Sequence, residues 1–250
     1  MRALLAALAL AAGVAVAADA RRSGFEDMSP QTQAMQRDDT QNPGMLAVQD
    51  GEALWNRAPG GTAKSCAGCH GEAAKSMRGV AARYPAFDAA SHRPMDLSQR
   101  INACHVRQGA APFAAESAEL LGLESYIALQ SRGLPVSPPT DARLKPFAAR
   151  GEALYRQRLG QLDLSCAQCH DERAGGRLGG GVIPQGHANG YPLYRLEWQG
   201  LGSLQRRLRN CMTGVRAEPY AYGAPELVDL ALYLAARDAG MAMESPAVRP

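Results

Sequence analysis

Two short motifs, Cys66-Ala67-Gly68-Cys69-His70 and Cys166-Ala167-Gln168-Cys169-His170, stand 100 residues apart in this chain of 250. Each reads Cys-x-x-Cys-His, and the pattern suits covalent haem for a geometric reason. The two thiols add to the haem vinyl groups as thioethers, and the adjacent histidine reaches the iron as proximal ligand. Redox disulfides or a zinc site would use the same residue types. Zinc, however, needs ligands that converge on one ion, and each motif has its own sequence context. The expectation is two covalently bound haem c groups. One is attached to Cys66 and Cys69 with His70 on iron, the other to Cys166 and Cys169 with His170 on iron.

The flanks of the motifs repeat as well. Gly51-Glu52-Ala53-Leu54 returns 100 residues later as Gly151-Glu152-Ala153-Leu154. Arg100-Ile101-Asn102-Ala103-Cys104 resembles Arg207-Leu208-Arg209-Asn210-Cys211, now at an offset of 107, and Glu119–Ile127 matches Glu226–Leu234 at that same offset. The second unit therefore holds extra residues after its motif, in the Gly-rich stretch 175–190. Leu120, Leu123, Tyr126 and Ile127 fall on one helical face, as do Leu227, Leu230, Tyr233 and Leu234. Gly51-Glu52 and Gly151-Glu152 read as helix openings, and no alternating strand pattern is visible. The fold expected is all-α, two tandem small cytochrome c domains related by internal duplication. The divisions are a signal peptide at 1–18, an N-terminal arm at 19–50, a first domain at 51–131, a Pro-rich linker at 132–147, a second domain at 148–240 and a tail at 241–250.

The signal peptide rests on Arg2, the apolar run Ala3–Val16 and the small residues Ala15-Val16-Ala17. It implies an exported, periplasmic protein with no membrane span after processing. The formal net charge is +3, and no Lys/Arg block suggests nucleic acid.

Two cysteines lie outside the motifs, Cys104 and Cys211, at matched places before the last apolar helix of each unit. Met77, Met95, Met212, His92, His105 and His187 are available as second iron ligands, but none recurs between the units, whereas cysteine does. Either Cys104 and Cys211 are thiolate ligands of the two irons, or they form one disulfide joining the units. A thiolate ligand favours ferric iron and lowers the reduction potential. Around Cys211 the sequence is rich in arginine. Arg207 shares a helical face with Cys211 at i, i+4, and a guanidinium beside a thiolate makes a site for an oxyanion. Arg209 and Arg216 are further candidates.

The segment from Arg207 to Met212, followed by Val215-Arg216-Ala217-Glu218-Pro219-Tyr220, resembles the signature of the SoxA family, the di-haem subunits of SoxAX cytochromes. Arg100–Cys104 and both haem motifs fit the same family, over roughly residues 25–240. The resemblance implies an L-cysteine S-thiosulfotransferase of bacterial thiosulfate oxidation. Such an enzyme joins thiosulfate to a cysteine of a SoxYZ-like carrier protein, passes two electrons to haem, and works as a heterodimer with a SoxX-like mono-haem cytochrome c. Carried over residue by residue, it makes Cys104 and Cys211 the axial ligands of the first and second haem. Cys211 becomes the catalytic residue, bearing a persulfide sulfur, and Arg207 the substrate-binding arginine. A plain di-haem electron carrier is the alternative, with methionine or histidine on iron and no use for arginines beside a thiol. A di-haem peroxidase would need an open iron and a proton-handling residue.

Overall fold

The computed structural model describes residues 20–60 and 64–250; the expected signal peptide lies outside them. A short helix, α1 (Pro30–Arg37), precedes the first unit. That unit comprises α2 (Gly44–Asn56), α3 (Cys66–His70), α4 (Ala73–Ser76), α5 (Leu97–Arg107) and α6 (Ala118–Leu129). The second comprises α7 (Lys145–Arg156), α8 (Cys166–His170), α9 (Leu204–Gly214) and α10 (Pro225–Arg237).

Each unit is built on a close crossing of two long helices, α2 on α6 and α7 on α10. Gly51 and Gly151 sit within α2 and α7, not at their starts. A Cβ on Gly51 would fall 2.0 Å from the Gly122 carbonyl oxygen, and one on Gly151 would fall 2.0 Å from that of Asp229. Only glycine permits that approach, so the repeated glycine marks a helix crossing and the reading of both as helix openings is corrected. Around the crossings lie two apolar cores. Trp55, Leu97, Leu123 and Ile127 pack in the first, and Leu154, Tyr155, Leu230 and Leu234 in the second.

The all-α expectation is overturned. The described residues include seven short strands in three small sheets. β1 (Ala86–Asp88) pairs antiparallel with β2 (Arg93–Met95), and β3 (Arg177–Leu178) with β4 (Gly181–Val182), inside the Gly-rich insertion. β5 (Leu193–Arg195) is flanked by antiparallel β6 (Gly200–Gly202) and by parallel β7 (Ala247–Arg249) from the C-terminal segment. These strands are two or three residues long, too short to show a period of two in sequence. They exist because the loops that carry them find backbone partners across the fold. The Pro-rich stretch behaves similarly. Gly133 and Val136 donate their N–H groups to the carbonyls of Met243 and Met241, both at 2.8 Å.

Candidate functional site

The second motif forms α8, and its first turn is fixed by a reciprocal cap. The Gln168 N–H donates to Ser165 Oγ at 3.2 Å, and the Ser165 N–H donates to Gln168 Oε1 at 2.9 Å. Cys166, Cys169 and His170 are thereby carried on one short helix. His170 Nδ1 lies 2.8 Å from the Pro184 carbonyl. With its proton on Nδ1 the ring donates to that oxygen, which fixes its orientation and leaves the Nε2 lone pair free for a metal. A Cβ on Gly186 would come within 2.9 Å of the ring, so a glycine lets this loop close over the imidazole.

Cys211, on α9, is a hydrogen-bond neighbour of His170. Burial pushes its thiol up. The His170 hydrogen bond and the charges of Arg207, His170 and Arg195 outweigh burial and hold the thiol below its ordinary value. Cys166 goes the other way, up to about 11, through burial and the nearby Cys211 sulfur. Tyr191 is pushed up to about 12, mainly by burial, beside Arg207 and Cys211. The donor set therefore fits covalent haem: two thiols and an imidazole on one capped helix, and a further thiol facing that imidazole.

The first unit repeats this plan in a more open form. Ser65 Oγ accepts the Gly68 N–H at 3.0 Å to start α3. The Trp55 ring lies 5.8 Å from that of His70, and its Nε1 donates to the Gly71 carbonyl at 3.1 Å. Cys69 and His70 are exposed. Arg107 donates to Cys104 Sγ at 3.0 Å. Burial and the Cys104 sulfur push the Cys66 thiol up. None of the six cysteines is placed in a disulfide, Cys104 and Cys211 included.

The rival iron-ligand candidates have other surroundings. His187 Nδ1 pairs with Asp238 Oδ1 at 2.6 Å, and His105 stacks on Phe113 at 4.2 Å. Met212 is buried, and Met77 packs against the first core. His92 is exposed, at the hairpin end between β1 and β2, and Met95 lies on β2.

The arginines divide sharply. Arg207 has no carboxylate partner among the described residues and acts on Cys211. Arg209 instead lies over the Tyr222 ring at 4.4 Å, and Arg216 is exposed. A residue that sequence reasoning missed is Arg195, at the end of β5. It donates to the exposed Glu197 at 2.8 Å, while its Nε is buried without a hydrogen-bond partner. Its charge reaches both Arg207 and Cys211.

The repeat shows where Arg195 comes from. At the offset of 107, Tyr84-Pro85 maps onto Tyr191-Pro192, Asp88 onto Arg195 and Arg100 onto Arg207. In the first unit Arg100 donates to Asp88 at 2.8 Å. Hydrogen bonds from Ser91 and then from Arg100 bring the Asp88 carboxyl down to about 2. In the second unit an arginine stands in the aspartate's place. An ion pair has become two like charges beside a thiol, an arrangement that favours an anion between them.

A family model for the SoxA/TsdA cytochrome c domain matches residues 50–136 and 150–243. The SoxA subunit of L-cysteine S-thiosulfotransferase from Pseudaminobacter salicylatoxidans is 39% identical over 229 residues, covering 91% of this chain and 80% of that protein. The corresponding subunit from Rhodovulum sulfidophilum is 38% identical, covering 92% and 81%. The crystal structure of SoxXA from P. pantotrophus superposes with a TM-score of 0.87 at 35% identity, over 92% of this chain and 87% of that one.

Proposed function

This chain belongs to the SoxA/TsdA cytochrome c family, and from that premise we propose that it couples thiosulfate oxidatively to a cysteine thiol of a SoxYZ-like carrier protein. It is a transferase subunit of the L-cysteine S-thiosulfotransferase type and serves thiosulfate oxidation. Covalent haem follows from the family's cytochrome c domains, and a SoxX-like mono-haem cytochrome c is its partner. No helix among the described residues is long and apolar enough to cross a membrane. The periplasm is the compartment proposed.

In the balanced reaction, thiosulfate dianion and a carrier thiol give the carrier S-thiosulfonate, one proton and two electrons. One S–S bond forms, and the two sulfurs that form it are oxidised. Haem held by Cys66, Cys69 and His70, and a second held by Cys166, Cys169 and His170, would supply one-electron acceptors, with Cys104 and Cys211 as the other iron ligands. Arg207 binds the thiosulfate oxyanion, and its fork suits the planar spacing of two oxygens. Cys211 carries the reacting sulfur. The His170 hydrogen bond and the guanidiniums of Arg207 and Arg195 favour its thiolate, and a thiolate can take the sulfane sulfur of one thiosulfate as a persulfide while sulfite leaves, a transfer that needs no oxidant. Removal of Arg207's carboxylate partner, relative to the first unit, is the observation that carries this reading. The same observation disfavours a plain electron carrier, which needs no unpaired cation at a thiol.

The test is product mass. The haem-loaded complex, given thiosulfate, an electron acceptor and carrier, should add one S–SO3 group to the carrier cysteine. Cys211→Ala should lose turnover about a thousandfold or more, while Cys104→Ala should mainly change the first haem's spectrum. Equal, mild losses in both variants would contradict the assignment.

A further inference from the structure

The reactive helix of the second unit is held at its start by the first unit. Ser203 caps the start of α9, its Oγ accepting the Arg206 N–H at 3.1 Å. The Ser203 N–H donates across the unit boundary to Glu116 Oε2 at 3.3 Å. Two residues on, Gln205 donates to Asp96 Oδ2 at 2.6 Å and accepts the Gly223 N–H at 2.7 Å. Gln99 of the first unit donates in turn to the Gly223 carbonyl at 3.2 Å. These groups line a cavity of about 280 Å³ between the units. Arg207 and Cys211 follow on the same helix.

One backbone detail singles out Glu116. Its φ is 60°, in the left-handed region that L side chains rarely adopt. The residue 107 positions later is Gly223, with φ 77°. The duplicated loop thus takes the same conformation twice, with glycine in the second unit and glutamate in the first. The backbone alone favours glycine at both places. A glutamate kept against that preference needs a reason, and its carboxylate supplies one by reaching Ser203.

We propose that Glu116 is a positioning residue for the second unit's site, fixing the start of α9 and so the aim of Arg207 at a bound oxyanion. The inference rests on the reading of Arg207 and Cys211 given above. It assigns the first unit a mechanical task that does not involve its own haem. Asp96 and Gln205 form the second leg of the same clasp.

The test uses the full chain with its haems and its mono-haem partner, comparing Glu116→Gly and Glu116→Gln. Glycine relieves the backbone, so the Tm of the first variant should hold or rise. Its kcat/KM for thiosulfate should nevertheless fall about tenfold, mostly through KM, as a lost hydrogen bond to a charged group implies. The ferric electron paramagnetic resonance signal of the second haem should shift, with that of the first unchanged. Glutamine keeps the acceptor oxygen and should restore most of the rate. Unchanged kcat/KM and spectrum in Glu116→Gly would overturn the proposal, as would a loss that glutamine fails to rescue. A wild-type second haem without a thiolate signature would instead overturn the reading of Cys211 beneath it, and is seen before any variant is made.

Discussion

The two units share a helix crossing, a capped Cys-x-x-Cys-His helix and a cysteine ahead of the last helix, and among the positions where their charges differ one pair bears directly on that cysteine. In the first, Arg100 is neutralised by Asp88 at 2.8 Å, and the cysteine on its helix meets a different arginine, Arg107, at 3.0 Å near the surface. In the second, Arg207 and Arg195 stand at the matched positions, and against burial the His170 hydrogen bond, helped by the charges of Arg207 and Arg195, holds Cys211 low. The scaffold recurs, but where the first unit sets an aspartate against its arginine the second sets a second arginine, both acting on a thiol. Aligning a chain on itself therefore reveals chemistry that neither half discloses alone.

The largest break of this comparison is to give the second unit the first unit's pair. Arg195→Asp should neutralise Arg207 and reduce kcat/KM for thiosulfate about 100-fold, chiefly by raising KM. Steady-state kinetics of the haem-loaded complex read this directly. An unchanged KM would remove Arg195 from the anion site.

A smaller effect lies between the units. Glu124, on α6, faces Ser98 and Asp96 at the start of α5, and Glu116 before α6. Burial first, then the Asp96 charge, raises its carboxyl from 4.5 to about 8. The folded state thus keeps a proton that the unfolded chain has released. Stability is undiminished below about pH 4.5, falls as pH rises towards about 8, and levels off above that. Glu124→Gln should flatten this decline in thermal melts across the same window. A wild-type Tm that rises over the window while the variant's does not would contradict the sign.

The smallest effect belongs to the first unit's pair. Asp88 is depressed, so its contribution is present above the ordinary value of 3.8 and lost as pH falls towards about 2. Asp88→Asn should soften the acid limb of stability and leave the KM for thiosulfate unchanged. A change in that KM would mean the two pairs are not independent.

The motif residues and Cys104, Cys211 and Arg207 stand out in the sequence as candidates because their signals are local: fixed spacing, and a recurrence at 107 residues. Arg195 does not, because it lies on a three-residue strand with no motif of its own. Its signal existed only in the self-alignment, through Tyr84-Pro85 and Tyr191-Pro192. The helices could be read from periodicity, but the strands could not, since β5 exists only by pairing with β6 and with β7 from the chain's end. Gly51 and Gly151 were visible as a repeat and misread as helix starts. Their cause, a backbone 2.0 Å from a missing Cβ, is a tertiary fact.

The claim that the units have diverged into a reactive and an unreactive half is tested most directly by mass spectrometry of the Cys211 and Cys104 peptides, digested without reductant and again after mild reduction. The account predicts one extra sulfur on the Cys211 peptide, lost on reduction, and none on the Cys104 peptide. Equal sulfur on both peptides, or a Cys104–Cys211 cross-link, would contradict it.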